Sequence, residues 1–372
     1  MNALRSFSAR ADIETILAGL GAERLDVPVL HPADPFLDTA GEELRRRIFM
    51  SESETGEALC LRPEFTIPVC LHHLGAGTDG HRRYGYVGTV FRQRRAGGNE
   101  FLQAGIEDIG DADGPAADAR SLADALSFLD ALDAAAGTVT TLGDQAVFNA
   151  VVTGLGLPQG WALRLSHAFG DRATLDAALD ALAVPPPLPD LPADILEPAE
   201  ARDRAALVNA LHMRLRIAGL ENAGGRDADD IADRLLARFD AAEIAPDAGA
   251  LATLRKFLDI HASLDRAADA LRAFASGNSL VMDDAIAGFA AREAAISAAG
   301  VDTAKVTYDA AFGRALDYYT ALVYEIATPA GLVLVGGGRY DRLLTMLGAK
   351  ETVPGVGFSV WLDRIGSSGG KS

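Results

Sequence analysis

With 372 residues, 49% hydrophobic and 23% charged, the chain has the balance of a soluble globular protein and enough length for a large core plus a second unit. A formal net charge of -18 argues against a surface that grips phosphate backbones nonspecifically, so no nucleic-acid partner is expected. Two cysteines, Cys60 and Cys70, make neither a disulfide framework nor a zinc site, which points to a reducing cytoplasm without a metal or cofactor, and no signal peptide, bilayer-spanning run or membrane association is expected.

Residues 12–20 carry Ile13, Ile16, Leu17 and Leu20 at helical spacing, closed by Gly21. The run 25–30, LDVPVL, is extended, and Pro28 confines it to a sheet edge or an interface. A helical stretch over 37–48 ends in Arg45, Arg46 and Arg47, an exposed basic helix end. In 59–67, LCLRPEFTI, period-two alternation places Arg62 and Glu64 on one face of a strand whose end Pro63 marks. Glu64, with Thr66 two residues on, is placed either to receive an ammonium group or to pair with Arg62 at the surface. His72 and His73 read as surface residues.

Two alternating runs, 84–93 and 100–109, flank a loop with Arg94, Arg95, Gly97, Gly98 and Asn99, and form a hairpin by pattern. On the second strand Phe101, Gln103, Gly105, Glu107 and Ile109 share one face. Gln103 and Glu107 with a glycine between them leave a notch that lines a cavity or is fully paired inside, because unpartnered burial would cost several kcal/mol. Arg92 ends the first strand, aimed at the same notch.

The alanine-rich region from 116 to about 299 steps at helical intervals through Leu122, Leu126, Leu129 and Leu132, and again through Ile231, Leu235, Leu236 and Phe239. Pro185, Pro186, Pro187 and Pro192 break it into two helical groups. No catalytic spacing occurs there, and it serves either as a structural insertion or as a partner-contact region.

The segment 312–341 holds two strand-like runs, 322–327 and 332–335, around the turn Thr328-Pro329-Ala330-Gly331. Arg314, Asp317, Tyr318, Tyr319, Arg339, Tyr340 and Asp341 crowd its edges, beside the triplet Gly336-Gly337-Gly338. Glycines let a backbone or ligand approach closely, so the segment reads as one wall of a small-molecule pocket or as a hairpin with solvated ends.

LRPEFT, FRQRRAGGNEFLQAGIEDIG, RALDYYT, GGGRYD and PGVGFSVWLDRI occur in an order and spacing that resemble the class II aminoacyl-tRNA synthetase core, specifically that of histidyl-tRNA synthetase. The resemblance covers roughly 5–110 and 305–366. It implies an α+β fold, an antiparallel sheet flanked by helices with a helical insertion. The division it implies is 1–115 and 301–366 for the two parts of the core, 116–300 for the insertion and connecting region, and 367–372 for a tail, with no anticodon-binding domain expected.

Carried over by position, the resemblance implies a histidine pocket. Glu64 and Thr66 match the groups that meet the α-amino end, with Gln103 nearby. Glu107 matches the imidazole acceptor and Arg314 the group facing the carboxylate. Tyr319 and Tyr340 match the hydroxyls that close the pocket, with Tyr318 beside them. A zwitterion with an imidazole needs one such acceptor for its ammonium, a cation for its carboxylate and an acceptor for its ring N–H.

The nucleotide part departs from the pattern. Arg92 and Arg364 remain as vestiges of it, but Arg94 stands where a glutamate belongs, the loop is short, and Trp361 fills a place normally held by a small residue. These departures make the chain similar to the family of regulatory subunits of ATP phosphoribosyltransferase, the first enzyme of histidine biosynthesis. That family implies a non-catalytic role, a short catalytic subunit as partner, L-histidine as feedback ligand, and a homodimer through the segment around Pro28. The alternatives are a truncated histidyl-tRNA synthetase-like ligase that activates histidine with ATP and a free-standing ligase that modifies a protein.

Overall fold

The computed structural model describes residues 7–39, 41–77, 80–94, 98–183, 190–219, 228–243, 248–314 and 318–365. Its described residues divide into two compact units, one drawn from Met1–Phe148 and Leu258–Ser372, the other from Asn149–Phe257.

The chain begins with α1 (Phe7–Gly19), β1 (Glu23–Arg24), β2 (Leu30–Pro32), α2 (Asp34–Thr39), α3 (Gly41–Arg45), β3 (Met50–Glu52), β4 (Ala58–Leu61) and α4 (Thr66–Gly75). It continues through β5 (Arg82–Phe91), β6 (Glu100–Ile109), α5 (Gly114–Ala131), β7 (Val139–Asp144) and α6 (Gln145–Gly154). The second unit holds α7 (Gln159–Ala168), α8 (Arg172–Ala183), α9 (Ala193–Glu200), α10 (Arg204–Ile217) and α11 (Ala228–Glu243). Then follow α12 (Ala248–Leu258), β8 (His261–Ser263), α13 (Leu264–Gly277), α14 (Asp283–Ala298), β9 (Val306–Asp309), β10 (Leu322–Ala327), β11 (Val333–Arg339), α15 (Leu343–Met346), β12 (Gly355–Trp361) and α16 (Leu362–Ile365).

In the first unit the described strands form a nine-stranded sheet in the order β1-β5-β6-β12-β11-β10-β7-β9-β8. All its pairs are antiparallel except β1 with β5 and β7 with β9. The expected hairpin is present: Tyr84 stands opposite Glu107, Tyr86 opposite Gly105 and Gly88 opposite Gln103. Its loop closes where Arg92 N donates to Asn99 O and Arg94 N to Asn99 Oδ1, while residues 95–97 lie outside the described ones.

Helix α1 buries Ile13 and Leu17 and stops at Gly21, whose φ of 77° is the left-handed conformation glycine adopts without strain. One face of the sheet is covered by α5, with α14 packed against it. Asp113 caps α5 by accepting from Ala116 N, Tyr324 reaches back from β10 to donate to Ser121 O at 3.0 Å, and Phe128 meets Phe358 edge to face. Over the other face lie α4 and a three-stranded sheet, β2-β4-β3. Phe36, Phe65, Ile67, Val69 and Cys70 fill the space between them and Tyr84, Tyr86 and Phe101. Burial of this apolar surface, at about 25 cal/mol per Å², is what holds α4 on the sheet.

Several expectations need correction. The strand expected over 59–67 ends at Leu61, because Pro63 has no N–H for a ladder and the chain turns into α4 at Thr66. Arg62 and Glu64 therefore share no strand face, and both are buried. The run 25–30 is not one strand: β1 ends at Arg24 and β2 starts at Leu30. Between them the carbonyls of Val27 and Pro28 accept from Arg62 Nη1. His73 is buried, with Nδ1 3.1 Å from the Tyr84 hydroxyl.

Besides its helices, the alanine-rich region contributes β7 and β8 to the sheet, and the second compact unit within it spans Asn149–Phe257. Within that unit α9, α10 and α11 pack through Ile195, Leu207, Leu211, Ala232 and Phe239. Asp203 caps α10 through Ala206 N. Pro185, Pro186 and Pro187 lie outside the described residues.

Candidate functional site: a sheet face cleared by glycines

The ladder registers place Gly88 on β5, Gly105 on β6, Gly357 on β12 and Gly336 and Gly338 on β11 on the face that turns toward α4. Side chains directly opposite one another across a ladder point the same way. Without side chains of their own, these positions leave bare backbone on which other residues lie. A Cβ at Gly336 would clash with the Arg314 guanidinium, one at Gly338 with the Tyr319 ring, one at Gly105 with Tyr86, and one at Gly357 with the Glu107 carboxylate. The glycine triplet thus admits protein side chains. Its middle member, Gly337, faces the other way and makes room for Tyr324.

Glu107 is the polar centre of this face. It is 1% exposed, and three hydroxyls converge on it: Thr66 Oγ1 at 2.8 Å and Tyr86 at 3.3 Å donate to Oε1, and Tyr340 donates to Oε2 at 2.5 Å. Burial pushes its pKa up to about 8, against the downward pull of the Tyr340, Thr66 and Tyr86 donors, and the nearby Glu64 charge adds to the rise. Tyr86 is further held by Ser359 Oγ at 2.7 Å.

Glu64 has a structural task that its sequence context did not reveal. Its two oxygens accept from the backbone N–H groups of Thr66, at 2.6 Å, and Ile67, at 2.9 Å, tying down the first turn of α4. Burial raises its pKa, with these two N–H groups and Arg92 opposing. Arg62, expected as an alternative partner, instead donates to the carbonyls of Thr89, Val27 and Pro28. Holding Glu64 also positions Thr66, so α4 delivers one of the three donors to Glu107.

Tyr318 and Tyr319 pack together, with centroids 5.0 Å apart, and Tyr318 meets Tyr340 edge to face at 6.1 Å. Arg314 lies over Gly336 and donates to Glu325 Oε1 at 2.6 Å. Its pKa is raised: burial works against the charge, and the neighbouring Tyr319 and Glu325 outweigh it. Gln103 is 1% exposed, and its Oε1 has no partner among the described residues. Glu64, Thr66, Gln103, Glu107, Arg314, Tyr318, Tyr319 and Tyr340 are thus drawn from the turn into α4 and its first residue, from β6, from the segment before β10 and from the residue after β11. Asp317 lies outside the described residues.

The two arginines read as nucleotide vestiges are engaged elsewhere. Arg92 Nε donates to Pro63 O at 2.6 Å, and burial lowers its pKa to about 10 despite the attraction of Glu64. Arg364 Nη1 donates to Val333 O at 2.5 Å, with its guanidinium carbon 4.7 Å from the centre of the Trp361 ring. Arg314 approaches the same ring at 5.9 Å.

Sequence reasoning missed Tyr86, although its place opposite Gly105 follows once the hairpin register is drawn. It also missed a buried ion network behind the wall, in which Asp118 takes Arg339 at 2.7 Å and Arg292 at 2.6 Å, while Arg292 also pairs with Asp144. Its members are 26 to 221 residues away from Asp118, and no local pattern links them. His81, Asp108 and Asp111 lie close enough to suggest a metal site. Arg120 and Arg83 already occupy the carboxylates, Arg120 on both and Arg83 on Asp108, so the cluster is an ion-pair network.

A family model described as histidyl-tRNA synthetase matches residues 1–365. The chain is 52% identical over 356 residues to an ATP phosphoribosyltransferase regulatory subunit of Mesorhizobium japonicum, covering 95% of each chain. It is 50% identical over 353 residues to one from Brucella ovis, covering 94% of each. Among solved structures it is similar to an ATP phosphoribosyltransferase regulatory subunit/histidyl-tRNA synthetase from Bacillus halodurans, with TM-score 0.63 and 17% identity over 99% of this chain and 81% of that one. It is also similar to histidyl-tRNA synthetase from Nostoc sp. PCC 7120, with TM-score 0.62 and 18% identity over 96% of this chain and 70% of that one. These two likenesses bear on the fold alone, and they agree with the α+β class II synthetase-like architecture expected from the motifs. By sequence identity over nearly its whole length, the chain belongs to the family of ATP phosphoribosyltransferase regulatory subunits.

Proposed function

We propose that this chain serves as the regulatory subunit of ATP phosphoribosyltransferase in the first step of histidine biosynthesis. In this role it is required by a short catalytic subunit and has no aminoacylation activity of its own. The observation that carries the reading is 52% identity over 95% of both chains with a regulatory subunit. Histidine occupies the glycine-cleared face: Glu107 takes the imidazole, Arg314 the carboxylate, and Gln103 with Glu64 and Thr66 the ammonium end, while Tyr318, Tyr319 and Tyr340 close over it. A site of this composition suits a small zwitterion with a hydrogen-bonding ring. Occupancy shifts the chain between conformations and lowers the partner's activity, a coupling of about 1–3 kcal/mol in typical cases. The subunit works in the cytoplasm as a homodimer within a larger hetero-oligomer, without nucleic acid.

Against a nucleotide-using role stand the commitments of Arg92 to Pro63 O and of Arg364 to Val333 O, and the indole that Arg364 covers. The test is phosphoribosyl-ATP formation by the short catalytic subunit from the same source, with and without this chain and with added histidine. Activity that needs the chain and falls with histidine is expected; a catalytic subunit indifferent to the chain would overturn the reading. The match to the histidyl-tRNA synthetase model keeps one second reading, a histidine-activating ligase. Histidine-dependent exchange of pyrophosphate into ATP would establish that activity.

A further inference from the structure

Three buried polar atoms on the site face have no partner among the described residues: Gln103 Oε1, Arg314 Nε and Trp361 Nε1. Trp361 is 7% exposed and Gln103 1%, so water does not readily substitute for the missing partners. They belong to one locality. Gln103 and Trp361 stand directly opposite each other across the β6–β12 ladder, which puts their β-carbons about 4.5–5.5 Å apart. The Arg314 guanidinium carbon is 5.9 Å from the centre of the indole. The set comprises two donors, one on a cation, and one acceptor. An indole N–H is donor-only, so what it lacks is an acceptor.

We propose that Trp361 reads the free carboxylate of the bound amino acid through its indole N–H, acting beside Arg314 as a specificity-determining residue. The carboxylate takes the N–H of Trp361 and the Nε–H of Arg314, and the ammonium group donates to Gln103 Oε1. The Arg364 guanidinium carbon lies 4.7 Å from the centre of the indole and packs on the ring. A tryptophan here does more than fill space: it supplies a directional donor that phenylalanine of nearly the same shape does not. The site therefore selects an unmodified α-carboxylate over an ester or a decarboxylated amine. This inference rests on the histidine-site reading above.

The test compares Trp361→Phe with the unaltered full-length chain by calorimetry, using L-histidine, L-histidine methyl ester and histamine. The substitution is expected to weaken L-histidine binding about tenfold, the usual scale for one hydrogen bond to a charged group. Affinity for histamine, which has no carboxylate, is expected to stay unchanged, and so to report that the rest of the site is intact. The preference for histidine over its methyl ester should shrink accordingly. Unchanged histidine affinity in Trp361→Phe, or equal losses for histidine and histamine, would overturn the role of the indole N–H while leaving the histidine site standing. Absence of histidine binding by the unaltered chain would instead remove the histidine-site reading, and this inference with it.

Discussion

At the scale of single residues the informative group is Glu107, a carboxylate buried among three hydroxyl donors. Its raised pKa of about 8 means that the folded chain holds a proton which the unfolded chain releases in the ordinary carboxylate range. The sign follows from linkage: the stability this proton contributes is full below the ordinary carboxylate range and is lost as pH rises toward about 8. Glu64, also raised by burial, acts with the same sign. Glu107→Gln carries no titrating group, so its stability relative to the unaltered chain should improve steadily from pH 5 to pH 8 in urea unfolding. The same variant should bind histidine more weakly by calorimetry, since the Glu107 carboxyl can give up its proton to become an anionic acceptor for the ring N–H and an amide has no charged form. A pH-independent stability difference would contradict the buried-proton account. Gly336→Ala makes a second prediction, because its Cβ would clash with the Arg314 guanidinium. Histidine affinity should fall at least tenfold, on the scale of one charge-assisted hydrogen bond, while far-ultraviolet circular dichroism stays unchanged. Much of this was readable in advance: alternation along 101–109 sets Gln103 and Glu107 on one face. What that alternation cannot say is which hydroxyls reach Glu107, because Thr66, Tyr86 and Tyr340 arrive from three different elements.

At the scale of elements, one arrangement is built locally and another joins distant segments. The start of α4 is local: Pro63 ends the strand and Glu64 accepts the first free N–H groups, so LRPEFT encodes a strand-to-helix turn rather than a longer strand. The period-two reading failed there because it counted side-chain alternation and ignored the missing N–H. The other arrangement joins α5, α14, β7 and β11 through Asp118, Arg292, Asp144 and Arg339. Asp144 also accepts from Ala146 N and Val147 N at the start of α6, so the same carboxylate serves a helix end and an ion pair. Burial raises the pKa of Asp118, with Arg292 and Arg339 pulling it down. Replacing Arg292 with Met strips one cation from two buried carboxylates. The expected loss is about 3–5 kcal/mol of stability, read as a lower urea midpoint, the usual consequence of breaking a buried pair from one side. A loss below 1 kcal/mol would mean that the two aspartates find other compensation.

At the scale of the whole molecule, the proposed homodimer has a visible surface to use. Val29 and Leu30 are 44% and 50% exposed at the start of β2, and Met50 is 50% exposed on β3. Beside Val29, a groove of about 570 Å³ is lined by Val27, Phe65, Phe91 and Leu102 among others. Light scattering should give twice the chain mass for the unaltered protein and the single-chain mass for Leu30→Asp, since a charge at an apolar interface is costly to bury. A monomer in the unaltered protein would contradict the proposal.

The order of the motif blocks, the β5–β6 hairpin, the helical character of most of the alanine-rich region and the face shared by Gln103 and Glu107 were determined by the sequence alone. Each depends on spacing within a segment, and the backbone periods convert spacing directly into a face. Only the tertiary structure decided that β7 and β8 complete the sheet, that the glycines of β11 hold Arg314, Tyr324 and Tyr319, and that Arg292 lies between Asp118 and Asp144. Those outcomes depend on which distant segments meet. A periodic pattern states which side of an element will be buried and is silent about what buries it.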